Sequence, residues 1–370
     1  MVFADVRPFA KPGLYAAKIV YTRLVNLSTA TRAAATTAPP DLTSPALIPP
    51  AVSRLIVCPR DKQPLDTVRG KLRCSRGHEY GAFEGIPILL VSDAEQTHIE
   101  GTRSLYVGET GDASQLRHFD VAPGEVDPFV QNVISATNGN LYADLRGKLN
   151  TYPIPDLRLP RGNGSLFLEI GCNWGRWCIA AARQGYRPVG IDPSLKALRA
   201  AQRVSRQLGV EAHFIVADGR YLPFPDASFE RAFSYSVLQH LAPQDVRETL
   251  QEIKRVLRPG GSSLVQMANC FGVRSLYHQA RRTFRRARDF EVRYWTPRSL
   301  KKTFEAAVGP SALSVDGFFS LNPQISDVEL LNFRNRTVVY ASEALRRLSN
   351  SVGSIKYVAD SLYVSSSRGA

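Results

Sequence analysis

Residues 165–185 read SLFLEIGCNWGRWCIAAARQG, and this stretch decides the fold of the second half of the chain. Its first six residues are a short, mostly apolar run that predicts a buried strand, and its last eleven predict a helix. Gly171 and Gly175 stand in the turn between them, where the missing side chains let backbone N–H groups approach a nucleotide-like ligand. Such turns occur in several kinds of nucleotide site, so this turn alone does not choose among them.

The same alternation of strand and helix continues through the rest of the chain. The further predicted strands are residues 187–192, 211–218, 231–237, 262–268, 312–319 and 356–366. The predicted helices between them are residues 194–209, 244–257 and 298–308. Strands that alternate with helices are typical of βαβ units, so the pattern predicts an α/β fold with an open, mostly parallel sheet.

Two aspartates end predicted strands beside the glycine turn. Asp192 ends the second strand, where its carboxylate is placed to accept both hydroxyls of a ribose. Asp218 ends the third strand, from which a carboxylate can bind the amino group of an adenine. A dehydrogenase, the alternative with the same fold, would need G-x-G-x-x-G at the turn. The turn here reads GCNWG and continues as RWC, which fits that pattern poorly.

The segments LEIGCNWGRW, VGIDPS, VADGRYLPFPDASFE, FSYSVLQHL and EIKRVLRPGG resemble the class I S-adenosylmethionine methyltransferases, especially those of ubiquinone and menaquinone biosynthesis. The resemblance covers about residues 165–268 and implies a Rossmann-like sheet and S-adenosylmethionine as cofactor. Asn173 stands where the family usually has glycine, and asparagine tolerates a positive φ. The alternative is a domain of this fold that has lost its ligand. The implied cofactor-binding residues are Glu169, Gly171, Asn173 and Gly175 for the methionine part, Asp192 for the ribose, and Asp218 with Gly219 for the adenine.

A cysteine/histidine module precedes this domain. Cys58, Asp61, Cys74 and His78 lie on two turns with the spacings C-x2-D and C-x3-H, an arrangement that holds tetrahedral zinc. With FEGIPILL (residues 83–90), the module resembles the zinc-ribbon activator proteins of methyltransferases and the ribbon of an rRNA guanine methyltransferase. The resemblance implies a small β module with structural zinc held by these four side chains. Since Asp61 replaces the usual cysteine, a metal-free docking surface is the alternative.

The pattern divides the chain into four parts. A leader and linker without fixed structure are predicted first, because residues 34–50 are rich in alanine, threonine and proline. A connecting, helical region follows the ribbon, with helices near residues 128–136 and 141–149. The predicted boundaries are 1–50 for the leader and linker, 51–92 for the ribbon, 93–150 for the connecting region and 151–370 for the methyltransferase domain.

Composition restricts the compartment and the partners. The 370 residues contain no apolar run long enough to span a bilayer, and no secretory signal is recognised. Five cysteines, an odd number, do not suggest a disulfide framework, so we expect a cytoplasmic protein. The formal charge of +14 favours anionic partners, such as a nucleotide-bearing substrate, a nucleic acid or an acidic membrane surface.

Residues 274–302 form a basic segment with ten Lys or Arg residues, two acidic residues and five aromatic side chains. The segment follows the fifth predicted strand of the domain, whose carboxyl end faces the cofactor crevice. We therefore expect its first part, Arg274 to Trp295, to cover the acceptor site and to select an anionic substrate. The alternative is a solvated amphipathic helix.

The sequence thus predicts an S-adenosylmethionine-dependent methyltransferase that acts on a small-molecule acceptor. An RNA methyltransferase is the second candidate, because the ribbon and the basic segment suit nucleic acid. A non-catalytic, cofactor-binding docking or regulatory protein is the third. No catalytic residue is assigned: His240 lies where a general base could face the substrate, and a packing role is the alternative.

Overall fold

The computed structural model describes residues 47–119, 121–122 and 124–369. These residues belong to one compact unit. The leader and linker predicted for residues 1–50 lie outside the described range, except for residues 47–50. No helix in the described part of the chain is long and apolar enough to cross a lipid bilayer.

The strands of the described residues form a single mixed sheet. Their bounds are β1 (Leu65–Val68), β2 (Lys71–Cys74), β3 (Glu79–Phe83), β4 (Ile86–Ile88), β5 (Leu166–Ile170), β6 (Arg187–Asp192), β7 (His213–Val216), β8 (Phe229–Ser234), β9 (Leu257–Ala268), β10 (Ser311–Gly317) and β11 (Ser361–Ser367). The order in the sheet is β1-β2-β3-β4-β7-β6-β5-β8-β9-β11-β10.

The helices of the described residues connect these strands. Their bounds are α1 (Pro50–Ser53), α2 (Ile99–Thr110), α3 (Pro128–Asn138), α4 (Arg176–Arg183), α5 (Leu195–Gln207), α6 (Pro243–Val256), α7 (Val273–Arg281), α8 (Pro297–Ala307) and α9 (Phe333–Ser349). Residues predicted as a helix at 141–149 instead form a 3-10 helix, Asn140–Leu145.

The centre of the sheet is parallel, and its strand order reverses beside β5. The chain runs outward from β5 to β6 and β7, then returns to pair β8 with the other side of β5 and continues to β9. In open α/β sheets such a reversal opens a crevice at the carboxyl ends of the strands. The predicted open, parallel α/β sheet is confirmed for the centre, and antiparallel pairs flank it at both edges: β1 to β4 on one side, and β11 and β10 on the other.

Strand β5 is buried on both faces, as its apolar sequence predicts. Phe167 packs in a cluster with Trp177 of α4, whereas Leu168 and Ile170 pack in the cluster that contains Leu250 of α6. Alternate side chains of a strand point to opposite faces, so β5 joins two layers of core. Its carboxyl end therefore holds the glycine turn in a fixed position.

The cysteine/histidine module continues this sheet. Ile88 of β4 pairs in parallel with Val216 of β7, and the N–H of Leu89 donates to the carbonyl of Val216 at 2.7 Å. Two ion pairs join the module to the helices. In the first, Arg199 of α5 makes two hydrogen bonds to Glu84, at 2.7 and 2.8 Å. In the second, Lys62 contacts Glu252 of α6 at 3.0 Å. Sheet pairing and side-chain contacts thus connect the module to the second half of the chain.

Candidate functional site

A cavity of about 590 Å³ lies at the carboxyl ends of β5, β6 and β7. Of the residues predicted to bind the cofactor, five line it: Gly171, Asn173, Asp192, Asp218 and Gly219. Glu169 and Gly175 are not among its lining residues. The sequence placed these residues at the ends of three different strands, and the parallel centre of the sheet brings the five together because the strand ends share one edge.

The glycine turn is built from three residues with positive φ: 76° at Gly171, 46° at Asn173 and 79° at Gly175. Asn173 therefore adopts the left-handed conformation of the glycine it replaces, which asparagine does at small cost. Its backbone N–H donates to Asp192 Oδ2 at 3.0 Å, and its side-chain Oδ1 is buried with no hydrogen-bond partner among the described residues. A buried, unpaired acceptor at a cavity wall suits a ligand that donates hydrogen bonds.

Asp192 links the turn to the following helix. Its carboxylate accepts hydrogen bonds from the backbone N–H groups of Asn173 and Ser194, at 3.0 and 2.9 Å. Burial raises the pKa of this carboxyl to about 6, although both hydrogen bonds favour the ionised form. The two backbone bonds fix the side chain, and the remaining lone pairs are available to ligand hydroxyls.

Asp218 is held by an arginine. Arg220 donates to both carboxylate oxygens, the shortest contact being 2.8 Å, and also contacts Asp245 at 3.1 Å. Gly219, the next residue, lies against Thr249 and Ile170, so an added Cβ would be 3.0 Å from the Thr249 methyl group. The acidic side chain and the small residue beside it are therefore both fixed in position at the cavity wall.

Glu169 is buried beneath the turn, with 2% of its surface exposed. Burial raises its pKa to about 8, against the attraction of nearby Arg176. Its Oε2 has no hydrogen-bond partner among the described residues. Its assignment to cofactor binding remains a prediction, as does that of Gly175, beside which Phe214 and Ala201 pack.

The cavity has a second wall that the sequence did not predict. The connecting region contributes Thr97, His98, Phe119 and the α3 face that carries Asn132 and Thr137. Phe290, from the basic segment, lines the same cavity, and its ring packs edge-on against the ring of His98, with centroids 4.9 Å apart. These residues lie far from the glycine turn in sequence, and no local motif marks them.

A second, larger cavity of about 1250 Å³ adjoins the first. Ala136 and Phe290 line both. His240 lines the second cavity, where its ring stacks on Phe290 with centroids 4.4 Å apart. Its Nδ1 lies 2.7 Å from the Phe290 carbonyl, which can only accept, so Nδ1 carries the proton and Nε2 presents a lone pair when the ring is neutral.

The basic segment lines part of this second cavity. Arg274, Arg281, Arg282 and Tyr294 are among the lining residues. Trp295, predicted to lie over the acceptor site, instead packs against the core and pairs with the end of β9 through its backbone. The segment therefore contributes arginines and the aromatic rings of Tyr277, Phe290 and Tyr294 to this cavity.

The four candidate metal ligands lie together. Their ligand atoms are all within 4.8 Å of one another, and His78 Nδ1 is 3.5 Å from Cys58 Sγ, 3.4 Å from Cys74 Sγ and 3.2 Å from Asp61 Oδ2. A tetrahedral zinc ion with bonds of about 2.0–2.3 Å places its ligand atoms roughly 3.3–3.8 Å apart. The three distances from His78 Nδ1 are therefore close to those of such a site.

Comparison with known proteins identifies the centre of the chain. Residues 167–261 match the family model described as a methyltransferase domain. This part of the chain is a methyltransferase domain. A methyltransferase of Streptomyces halstedii is 34% identical over 107 residues, which are 28% of this chain and 38% of the relative. An O-methyltransferase of Aspergillus sclerotiorum is 35% identical over 106 residues, 28% of this chain and 39% of the relative.

Other similarities cover more of the domain. The ubiquinone biosynthesis O-methyltransferase of Agrobacterium fabrum is 29% identical over 150 residues, 40% of this chain and 56% of the relative. An S-adenosylmethionine-dependent methyltransferase structure from Methanosarcina mazei has a TM-score of 0.41 at 19% identity and covers 58% of this chain and 99% of that one. The chain spans less than two thirds of the length of each of these curated relatives. The predicted relation to methyltransferases that use S-adenosylmethionine is confirmed for this domain.

Proposed function

We propose that the protein transfers a methyl group from S-adenosylmethionine to a small-molecule acceptor. The observation that carries this proposal is the pair of adjoining cavities at the carboxyl edge of the sheet. The first is lined by Asn173, Asp192 and Asp218, and the second by His240 and the basic segment. Open α/β sheets bind their ligands at this edge.

The residues of the first cavity fit the cofactor. The unpaired Oδ1 of Asn173 would accept from the ammonium group of the methionine part. The buried carboxylate of Asp192 would accept from the ribose, and Asp218 would accept from the adenine amino group. When bound, the cofactor supplies a methyl group on a positively charged sulfur, which keeps the electron pair of the broken bond.

The protein's own contribution is to align the acceptor and to remove its proton. The shared wall at Phe290 places the acceptor cavity beside the cofactor cavity, and alignment of two reactants is a major source of rate. An acceptor hydroxyl must lose its proton as it is methylated. Nε2 of His240 is the base that the second cavity offers, since Nδ1 is bound to the Phe290 carbonyl.

Incubation with labelled cofactor tests the proposal. The protein would be mixed with S-adenosylmethionine carrying a labelled methyl group and, separately, with a metabolite extract and with purified RNA. We expect label in the small-molecule fraction. Label in RNA would support the second candidate, which the exposed Arg285, Arg286 and Arg288 of the basic segment favour. Cofactor binding with no label in either fraction would contradict enzymatic activity.

We expect Asp192→Ala to weaken binding of S-adenosylhomocysteine, the demethylated cofactor, by roughly 5- to 150-fold, the equivalent of about 1–3 kcal/mol for a lost hydrogen-bonding group. Calorimetry measures the affinity. Asp192→Asn retains the shape and serves as a second variant, because the alanine also leaves two backbone N–H groups unpaired. Asp66→Ala, which removes an exposed carboxylate of β1, is the control. Unchanged affinity in both Asp192 variants would exclude the ribose assignment.

We also propose that Cys58, Asp61, Cys74 and His78 hold one structural zinc ion. Four protein ligands leave no open position, which is typical of structural sites. The hydroxyl group of Tyr80 lies 3.2 Å from Cys58 Sγ, as expected for a neighbour that stabilises a metal-bound thiolate. A cytoplasmic location, where thiols stay reduced, is part of the same proposal.

A further inference from the structure

The second cavity contains buried polar atoms that the protein does not satisfy. Gln239 is 1% exposed and its Nε2 donates to Ser236 Oγ, which leaves Oε1 with no partner among the described residues. Asn322 is 5% exposed and its Oδ1 is likewise unpaired. Both residues line the cavity. Buried acceptors without donors are costly, so a ligand that donates hydrogen bonds is expected here.

The same cavity is lined by more arginines than carboxylates: Arg274, Arg281 and Arg282 against Glu291. Arg274 and Arg281 lie 5.2 and 5.8 Å from the ring centroid of Tyr277, and neither has an ion-pair partner among the described residues. Arg282 donates to the Val292 carbonyl, and its buried Nε is unpaired.

Two carboxylates, Glu291 and Asp360, lie near these arginines, and both are already engaged. Arg285 makes two hydrogen bonds of 2.7 Å to Glu291 and holds its pKa at about 2. Asp360 accepts from the backbone N–H groups of Ser275 and Phe319, at 2.7 Å each. Burial and the charges of Arg274 and Arg281 lower the pKa of His278, which lines the same cavity. The local field is therefore positive, which favours an anionic group.

We propose that the second cavity binds an acceptor that carries both an anionic group, phosphate or carboxylate, and hydroxyl or amine groups. Arg274 and Arg281 contact the anion, because a guanidinium binds such groups through paired hydrogen bonds. Gln239 and Asn322 accept from the hydroxyl or amine groups. The inference rests on the proposed function, since it names the acceptor class of the same site.

The phosphate group that the arginines bind could belong to a small molecule or to a polynucleotide. The structure favours a small molecule as the ligand of this cavity. The unpaired amide oxygens belong to buried side chains that line the cavity, and a small molecule bound in the cavity is the partner that the proposal gives them. A polynucleotide would instead follow Arg285, Arg286 and Arg288, which are not among the residues that line the cavity. The experiment therefore includes one arm for each source.

The probes are inorganic phosphate, glucose 6-phosphate and a short single-stranded RNA, each titrated into the full-length protein with S-adenosylhomocysteine present. The ring signal of His278 in NMR spectra reports binding. We expect both phosphates to shift the signal saturably, with glucose 6-phosphate at least threefold tighter. The double variant Arg274→Gln/Arg281→Gln should bind both phosphates at least tenfold more weakly. The control variant Arg288→Gln, which changes an exposed arginine of the same segment, should bind them normally.

Further variants test the hydroxyl contacts. Gln239→Met and Asn322→Leu remove the unpaired oxygens at similar volume, so they should abolish the advantage of glucose 6-phosphate and leave inorganic phosphate binding intact. Absence of saturable shifts, equal binding in the double arginine variant, or a shift with RNA alone would overturn the proposal. Failure of S-adenosylhomocysteine to bind would instead contradict the proposed function. Methyl transfer to a neutral acceptor at a rate that the arginine changes do not affect would overturn this inference but would leave the proposed methyltransferase function standing.

Discussion

Replacing His240 with glutamine is expected to lower kcat about 10²- to 10⁴-fold, the usual contribution of a positioned general base. Glutamine retains a group that can donate to the Phe290 carbonyl but cannot take up the acceptor's proton. Binding of S-adenosylhomocysteine should stay unchanged, because His240 lines the second cavity and is not among the residues that line the first. The measurement is turnover on the acceptor identified with labelled cofactor, together with calorimetry of cofactor binding.

The pH profile separates a base from a packing residue. Burial lowers the pKa of His240, with smaller contributions from Arg293 and His98, while the hydrogen bond to Phe290 opposes the shift. Only the neutral ring accepts a proton, so activity should fall as pH drops through a pKa below the usual value of about 6.5. The His240→Gln variant should lack this acid limb.

His213→Gln is the matched control, since His213 lies in β7 and lines neither cavity. It should keep normal turnover and the normal pH profile. His240→Ala leaves a gap beside Phe290, and added imidazole should restore part of its activity if the ring acts as a base. Normal turnover in His240→Gln, or no rescue of an otherwise folded His240→Ala, would show that the histidine serves packing.

The parts of the fold that the sequence predicted are those whose buried faces are apolar. Strand β5 and helix α5 are where the pattern placed them, and the side chain of Ser194 caps α5. Helix α2 was not predicted, because its buried face contains Glu100, Gly101 and Ser104 beside Val107. Helix α9 was also missed, since Val339 and Ser342 are its buried residues. Hydrophobic periodicity does not reveal a helix that packs through polar or small side chains.

The cofactor side of the site was predictable for a related reason. Asn173, Asp192 and Asp218 each stand at or just after the end of a strand in the parallel centre of the sheet, and such strand ends share an edge. The opposite wall consists of Thr97, Phe119 and Phe290, which the tertiary fold alone brings there. The acceptors Gln239 and Asn322 carry no sequence motif, and their importance is visible only because the fold buries them unpaired.

The second large effect concerns the metal. We expect freshly purified protein to contain about one zinc ion per chain, and removal of the ion by a chelator to lower the free energy of unfolding. An ion present at a thousand times its dissociation constant adds about 4 kcal/mol to stability. Cys58→Ser and Cys74→Ser should lose the metal and unfold at lower temperature. Elemental analysis and thermal denaturation are the measurements, and Cys270→Ser, which lies outside the cluster, is the control.

The loss should spread beyond the module because its turns pack directly on the methyltransferase domain. Lys62, the residue after the proposed ligand Asp61, donates to Glu252 of α6 at 3.0 Å and to the Leu222 carbonyl at 3.1 Å. The N–H of Val57, beside the proposed ligand Cys58, donates to the Pro223 carbonyl at 2.9 Å. Removing the proposed ion should free the turns that make these contacts. Metal removal should therefore increase hydrogen exchange in β7 and α6 as well as in β1–β4.

The aspartate ligand supplies the sharpest variant. Asp61→Cys replaces a hard oxygen with a thiolate, which zinc prefers, so this variant should retain zinc at chelator concentrations that strip the unmodified protein. Hydrogen exchange in β7 and α6 of this variant should then stay slow at those chelator concentrations. Purified protein that contains no transition metal, with Cys58→Ser equally stable, would show that the four side chains form a metal-free packing cluster. If zinc is present but its removal does not change hydrogen exchange in β7 and α6, the stabilising effect of the ion is restricted to the module.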